Sequence, residues 1–314
     1  MWIFICDWTL SGFVLFLNLW LFVAILRSGE VAKTSIFLMM YFIIVHDCLA
    51  ACVKILHDIP SYFANHSILE KSSFLYNTCK FIIGCRFFFH LFFLPVFSLF
   101  HCLAIYYTIE FRRFDVNYVR IVIGVLYLLT AAVLAPIFTP CCGYSYQIDI
   151  HSWYFDYSKP HSIVFRLMST WLEVICIIII SIVNLLIITR LWTLRGKHVI
   201  IKKKMVCTVA ETATDREHTA TEATQDQSRT CQQVRKRVLL RPEMRLAAYF
   251  VVLSACFFAS IMALNFLVGT KDSFLALLNL VCRYLDRFKW VVYCIGNKNI
   301  RTIFLSPKKM LFGL

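Results

Sequence analysis

The sequence predicts an all-α membrane protein, a seven-transmembrane helix bundle with a short amphipathic helix 8. Seven apolar stretches are each about 20 residues or longer, the length at which a helix crosses a hydrocarbon core of about 30 Å. Hydrophobic residues make up 60% of the chain and charged residues 16%. Soluble domains carry about 25% charged residues, so the composition favours a chain embedded in lipid.

The apolar stretches predict the bounds of seven spans. A membrane strand would need only about ten alternating residues, which these continuous runs do not show. The spans are expected at residues 9–27, 36–57, 79–109, 117–139, 161–192, 245–268 and 273–296. The amphipathic helix follows at 297–306, so the membrane domain covers residues 1–306 and a short cytoplasmic tail covers 307–314.

Lys and Arg predict which side of the membrane each loop faces. With the N-terminus outside, the inner segments hold 22 of these residues and the outer segments hold 6, as the positive-inside rule requires. A glycosylation sequon begins at Asn65 in the first outer loop. We therefore expect a multi-pass protein of the plasma membrane, with its N-terminus extracellular and its C-terminus cytoplasmic.

The third inner loop, residues 195–241, is the one stretch with a soluble composition. Residues 208–230 are rich in Thr, Glu, Gln and Asp and lack apolar periodicity, so we expect them to be disordered. Basic clusters at 202–204 and 235–237 flank them. These clusters predict either anchoring to anionic lipid or docking of a cytosolic partner.

Several function classes find no support in the residues. The net charge of +14 suggests nucleic acid, but the charge is concentrated in one loop and beside helix ends, which favours membrane lipids instead. CxxC pairs, His/Cys clusters and Gly-rich phosphate loops are absent from the sequence. We expect no cofactor, no metal and no enzymatic activity.

Ionisable residues inside the apolar stretches predict a ligand site. A charge in lipid costs about 2.5–3.5 kcal/mol and therefore usually faces the bundle interior. Arg86 and His90 lie one turn apart in the third span, and Lys54 lies in the second. Against these three potential cations stands one intramembrane carboxylate, Glu173 of the fifth span, so the residues predict an outer cavity that favours an anion. The alternative is that Arg86 and Glu173 form an internal ion pair and bind nothing.

An ordered set of residues resembles the rhodopsin-like G-protein-coupled receptors. Asn18 and Asp47 lie 29 residues apart in the first two spans, Asp47 being expected either to bond to Asn18 or to form an ion-linked allosteric site. Cys79 begins the third span and Pro136 closes the fourth. The family likeness implies a disulfide from Cys79 to Cys141 or Cys142, and switch roles for Asn18, Asp47, His101, Asp286 and Tyr293.

The chain departs from that family where the G protein binds. The family carries an Arg at the inner end of the third span, but the two possible registers, 100–102 and 103–105, place His101 or Ala104 there. We therefore expect a divergent receptor for a small molecule, an anion or a lipid, that couples weakly to a G protein or arrestin. The alternatives are a receptor-like scaffold that does not signal and a membrane transporter.

Topology gives the first testable prediction. Wild-type protein expressed in mammalian cells should lose mass on endoglycosidase treatment, and Asn65→Gln should abolish that loss because it removes the sequon. Epitope tags at the two ends provide the control, since an odd number of spans places them on opposite sides. Tags on the same side would contradict the count of seven.

Overall fold

The computed structural model describes most of the chain. It covers residues 2–29, 35–107, 111, 115–148 and 152–212, and then the shorter pieces 251–252, 254–263, 265, 274–275, 277–282, 284, 287 and 298–306. The predicted switch residues Asp286 and Tyr293 lie outside the described residues, as do residues 213–241 of the third inner loop.

The described chain is mostly helical, and five of its helices are long and apolar enough to cross a membrane. This confirms the prediction of a helical protein with apolar, membrane-compatible spans. The long helices are α1 (Trp2–Ser28), α2 (Ser35–Val53, continued below), α4 (Phe74–Tyr106), α5 (Val116–Leu134) and α6 (Ser162–Thr212). In the predicted sixth and seventh spans, the described pieces include α7 (Ser254–Ala263) and residues 277–282. The count of seven spans stays a prediction.

The second span contains a change of helix type. After α2, residues Lys54–Asp58 form a π-helical turn that leads into the short helix α3 (Ile59–Ala64). Asn65 then ends α3 in the left-handed conformation, with φ of 54°. Because a π turn accommodates an extra residue, the side chains that follow Val53 point in directions that regular helical spacing does not predict.

Helix α4 begins five residues before the predicted start of the third span. The Ser73 hydroxyl accepts a hydrogen bond from the backbone N–H of Tyr76 at 3.2 Å and caps the first turn. Such a cap satisfies one of the amide groups that a helix start leaves without an internal partner. The apolar run at 79 therefore marks entry into the membrane rather than the helix terminus.

Helix α4 is the centre of the packing, since it contacts α2, α5 and α6. Three rings on one of its faces, Phe89, Phe93 and Phe97, are fully buried. Their centroids lie 5.7 Å and 5.2 Å apart along the column. Aromatic stacking of this kind adds to the packing of a core in which few atoms meet solvent.

The fourth span ends as the sequence suggests, with a 3-10 turn at Ala135–Phe138 that contains Pro136. Just before it, Leu134 packs against Gly84 of α4. A Cβ atom on Gly84 would lie 2.6 Å from Leu134 Cδ2. The absence of a side chain at Gly84 therefore allows α4 and α5 to approach closely.

The second outer loop forms a β-hairpin, which the sequence analysis did not predict. Strands β1 (Tyr144–Gln147) and β2 (Ser152–Phe155) pair antiparallel, with Tyr144 opposite Phe155 and Gln147 opposite Ser152. Alternating aromatic residues are typical of strands and were the available signal. The length of each strand, four residues, makes that signal weak.

Helix α6 extends well beyond the membrane. Its 51 residues would span about 76 Å at 1.5 Å per residue, against a core of about 30 Å. The helix continues through the basic cluster at 202–204, as predicted for a helical extension of the span. It also includes residues 208–212, which the sequence analysis expected to be disordered.

A short helix, α8 (Lys298–Phe304), lies against α1. The indole Nε1 of Trp20 donates a hydrogen bond to the Phe304 carbonyl at 2.9 Å, and Ile300 is fully buried. This helix falls within the range predicted for the amphipathic helix at 297–306. The contact lies near the C-terminal end of α1, eighteen residues after its start at Trp2.

The contact between Gly84 and Leu134 gives a testable prediction. Gly84→Ala should lower the free energy of unfolding of the purified protein by about 1–3 kcal/mol, because the added methyl overpacks a closed interface. Gly124→Ala in α5 is the matched control, since no atom lies within 4 Å of its Cβ position. In a Leu134→Ala background, Gly84→Ala should cost nothing further; an unchanged penalty there would contradict the proposed contact.

Candidate functional site

A polar cavity of about 120 Å³ lies among the helices and the hairpin. It lies between the outer end of the second span, α4, the hairpin and the described parts of the last two spans. Three cationic residues line it, namely Lys54, Arg86 and Arg287, together with one described carboxylate, Asp58. Two of these cations, Lys54 and Arg86, are sequence-predicted site residues that the fold brings together.

Arg86 forms an ion pair with Asp47. Its Nε donates to Asp47 Oδ1 at 2.7 Å, and the Asp47 side chain is completely buried. His90 Nε2 lies 3.9 Å from the same oxygen. The suggested pair of Arg86 with Glu173 is therefore wrong, because Asp47 on the neighbouring α2 is the carboxylate that faces Arg86.

The expected bond between Asn18 and Asp47 is absent as well. Asn18 is buried in α1, but its Nδ2 has no hydrogen-bond partner in the described structure. Because the rotation of α1 against α2 decides which polar groups meet, a spacing of 29 residues in sequence does not fix this contact.

Lys54 is held by α1 and by the last span. Its ammonium forms an ion pair with the Asp7 carboxylate and donates to the Tyr284 hydroxyl at 3.1 Å. Tyr284 in turn donates to Asp7 Oδ1 at 2.6 Å, and its oxygen also contacts Ser11. The sequence analysis overlooked Asp7 and Tyr284, since Asp7 precedes the predicted first span.

Arg287 is a cation of the cavity that was not among the predicted ligand residues. In the structure Arg287 lines the cavity, with its guanidinium carbon 5.2 Å from the centre of the Tyr284 ring. Leu280 and Tyr284 are buried on the same side, at the helical spacing of 4 and 3 that could have identified Arg287.

One donor of Arg287 has no acceptor. Its Nη1 is buried and has no hydrogen-bond partner among the residues that the structure describes. Burying a guanidinium N–H without a partner costs free energy. An acceptor placed in the cavity would remove that cost.

A second cavity of about 70 Å³ adjoins the first. Phe87, Tyr144 and Trp153 line both cavities and form the partition between them. The remaining walls of the second cavity are mostly aromatic and aliphatic. Glu173, the fourth predicted ligand residue, lies here rather than beside Arg86.

Glu173 is satisfied within the protein. Asn265 Nδ2 donates to Glu173 Oε2 at 2.7 Å, and Arg166 Nη1 lies 3.8 Å from Oε1. Arg166 Nη2 also donates to Asn265 Oδ1 at 2.5 Å. These three side chains form a closed, nearly neutral group, so Glu173 is a structural carboxylate in this fold.

The hairpin covers the polar cavity and is fixed to the π-helical turn through Asp58. Trp153 Nε1 donates to Asp58 Oδ1 at 2.9 Å, and the Tyr146 hydroxyl donates to the Asp58 carbonyl at 3.1 Å. The ring of His57 packs against both Tyr146 and Trp153, and its Nδ1 lies 2.8 Å from Asp58 Oδ1. The hairpin therefore forms a lid whose position depends on Asp58.

The lid carries neutral phenols. Burial raises the pKa of Tyr144 and of Tyr146 well above the usual value, so both remain protonated donors at physiological pH. At the far end of the hairpin, a hydrogen bond from the Ser158 hydroxyl lowers the pKa of Asp156. The Asp156 amide donates to the Gly143 carbonyl at 2.9 Å and closes the base of the hairpin.

The other predicted site residues lie apart from the cavity. Cys79, Cys141 and Cys142 are free thiols in the structure, so the disulfide stays a prediction of the family resemblance. His101 is buried against the Phe97 ring at 4.7 Å. Asn65 is exposed at the end of α3. Across the described residues, no group of His, Cys, Asp and Glu is arranged to hold a metal ion.

Comparison with known proteins adds no family. The chain matches no protein-family model, and no curated protein matches it. The likeness to rhodopsin-like receptors therefore rests on the residues quoted above.

The lid contact gives a testable prediction. Trp153→Phe keeps the ring but removes the donor to Asp58, a charge-assisted bond worth about 1.5–3 kcal/mol. Amide hydrogen exchange of residues 144–155 in lipid nanodiscs should accelerate about tenfold or more. Trp171→Phe is the matched control, since Trp171 lies on the lipid-facing side of α6 and is 66% exposed. Unchanged exchange in Trp153→Phe would mean that Asp58 does not hold the lid.

Proposed function

We propose that this protein is a divergent seven-helix receptor of the rhodopsin-like kind that binds a small anion in the polar cavity. The observation that carries the proposal is Arg287 Nη1, a buried donor without an acceptor beside a cavity. Binding in the outer half of the bundle is then passed to cytoplasmic partners. A heterotrimeric G protein or an arrestin is the proposed partner class.

Unequal pairing of the cations favours an anion over a cation or a neutral ligand. Asp47 pairs with Arg86 and Asp7 pairs with Lys54, and Asp58 is bonded to His57 and Trp153. Arg287 forms no ion pair of this kind among the described residues. Because Arg86 and Arg287 line the same cavity, their mutual repulsion falls when an anion lies between them. A guanidinium also matches a carboxylate in geometry, with two parallel donors for two oxygens.

The enclosure of the site strengthens such binding. Trp153 and Tyr144 of the hairpin form part of the cavity lining. Beside such aromatic walls, the attraction between a carboxylate and a guanidinium is screened less than at an exposed surface. The same enclosure limits the ligand to a small molecule, since the cavity measures about 120 Å³.

Helix α4 supports a path from the ligand to the cytoplasmic side. It carries Arg86 in the outer half and His101 near its inner end, on one continuous helix of 33 residues. The extension of α6 to Thr212 provides a helical surface beyond the membrane on the proposed cytoplasmic side. A rigid-body shift of either helix would transmit a change in the cavity to that surface.

A scaffold that does not signal is the second candidate. The observation that favours it is His101, which is buried against Phe97 and stands, in one of the two possible registers, where the receptor family carries an Arg. A buried imidazole offers no fork of cationic donors to a G protein. In this candidate the cavity would bind its ligand without coupling to nucleotide exchange.

Anion binding is tested with propionate on the full chain in nanodiscs, by thermal stabilisation and calorimetry. Arg287→Gln should weaken binding about tenfold to a hundredfold, because a charge-assisted hydrogen bond is worth about 1.5–3 kcal/mol. Arg120→Gln is the matched control, an exposed cation at the start of α5. Absence of a response by the wild-type protein to any of propionate, phosphate or sulfate would contradict an anion site.

Coupling is tested separately. Nucleotide exchange on a panel of G proteins should be weak in the presence of the wild-type chain, because neither His101 nor Ala104 supplies the permanent cation of the family. Turnover comparable to that of a standard receptor would contradict this expectation. Complete absence of turnover and of arrestin recruitment, with propionate bound, would favour the scaffold.

A further inference from the structure

We propose, building on the proposed function, that the ligand is a monocarboxylate that carries one aromatic ring. Its carboxylate lies at Arg287 in the polar cavity, and its ring lies in the second cavity beyond Phe87. A small anion bound at Arg287 would leave the second cavity without a role.

The two cavities are adjacent compartments of one space. Phe87, Tyr144 and Trp153 belong to the lining of both. The division is therefore made by three side chains, two of them on the hairpin lid. A ligand with two chemically different ends can occupy both compartments at once.

Most of the second compartment is lined by apolar side chains, and its charged side chains are bonded within the protein. Its walls include Phe88, Ile137 and Phe155 in addition to the shared aromatic residues. Its polar members, Arg166, Glu173 and Asn265, bond to one another. Apart from the hydroxyls of Tyr144 and Tyr154, a polar ligand group would meet only side chains that are already bonded, whereas an apolar group would be removed from water.

The shape and chemistry of the walls favour a ring over an aliphatic chain. The volume of about 70 Å³ is about half of the ~150 Å³ apolar cavity that holds a benzene ring, so a single ring enters when the side chain of Phe87 moves aside. Phe88 and Phe155 each pack against Phe165, with centroids 6.2 Å and 5.7 Å apart. Walls of this kind offer both ring faces and ring edges, which an aromatic guest can match.

Phe87 is the residue that separates the compartments on the α4 side. It follows Arg86 directly, and its ring lies edge-on to Phe88 with centroids 5.1 Å apart. Phe87 is only partly buried, so rotation about its χ1 opens the partition without disturbing the fully buried column at Phe89. The ring of the ligand takes the place that Phe87 vacates.

The test compares propionate, 3-phenylpropionate and 3-phenylpropionamide on the full chain in nanodiscs. We expect 3-phenylpropionate to bind at least tenfold more tightly than propionate, and Arg287→Gln to weaken both acids. The neutral amide should bind at least tenfold more weakly than its acid. Ile137→Phe fills the second cavity and should remove the advantage of the ring while propionate binding is unchanged. Ile163→Phe, on the exposed side of α6, is the control.

A gain of binding provides a second readout if Ile137→Phe does not fold. Phe88→Ala enlarges the second cavity and should admit 3-(2-naphthyl)propionate, which the wild-type protein excludes. Equal affinities for propionate and 3-phenylpropionate, with both lost in Arg287→Gln, would overturn this inference and leave the anion site standing. Failure of every carboxylate to bind would overturn both proposals. Tight binding of the amide would also overturn the inference.

Discussion

The ion pair between Arg86 and Asp47 is the contact on which the outer half of the structure depends. Asp47 is fully buried in α2, and its carboxylate accepts from Arg86 of α4 at 2.7 Å. Neither charge could stay in an apolar bundle alone, since loss of one partner of a buried pair costs about 3–5 kcal/mol. The pair therefore fixes α2 against α4, and this fixed interface forms one wall of the polar cavity.

The π-helical turn Lys54–Asp58 positions two side chains that hold the site together. Within five residues it directs Lys54 towards Asp7 of α1 and directs Asp58 towards Trp153 of the hairpin. A regular helix would place these two side chains one turn apart on a single face. In the π turn both side chains still line the same cavity, but Lys54 bonds to α1 and Asp58 bonds to the hairpin, so this one segment holds both.

The cations of the cavity differ in whether a carboxylate is paired with them, and this difference decides its chemistry. Lys54 and Arg86 each have a carboxylate, and Glu173 is closed off by Arg166 and Asn265. Pairing of this kind stabilises the fold but leaves little for a ligand to do. Arg287 is different because its Nη1 has no acceptor, and the proposed anion site follows from that difference.

The sequence by itself determined that the chain is helical and apolar enough to cross a membrane, and it determined the approximate bounds of the five long helices. These depend on apolar length and on the cost of charge in lipid, which are local properties of the chain. Tertiary structure alone decided that Arg86 meets Asp47 rather than Glu173, that Arg287 points inward, and that a hairpin covers the cavity. The reason is that such contacts depend on the rotation and approach of neighbouring helices. The π turn and the contact at Gly84 both affect this rotation and approach, and the spacing of residues along the sequence reveals neither of them.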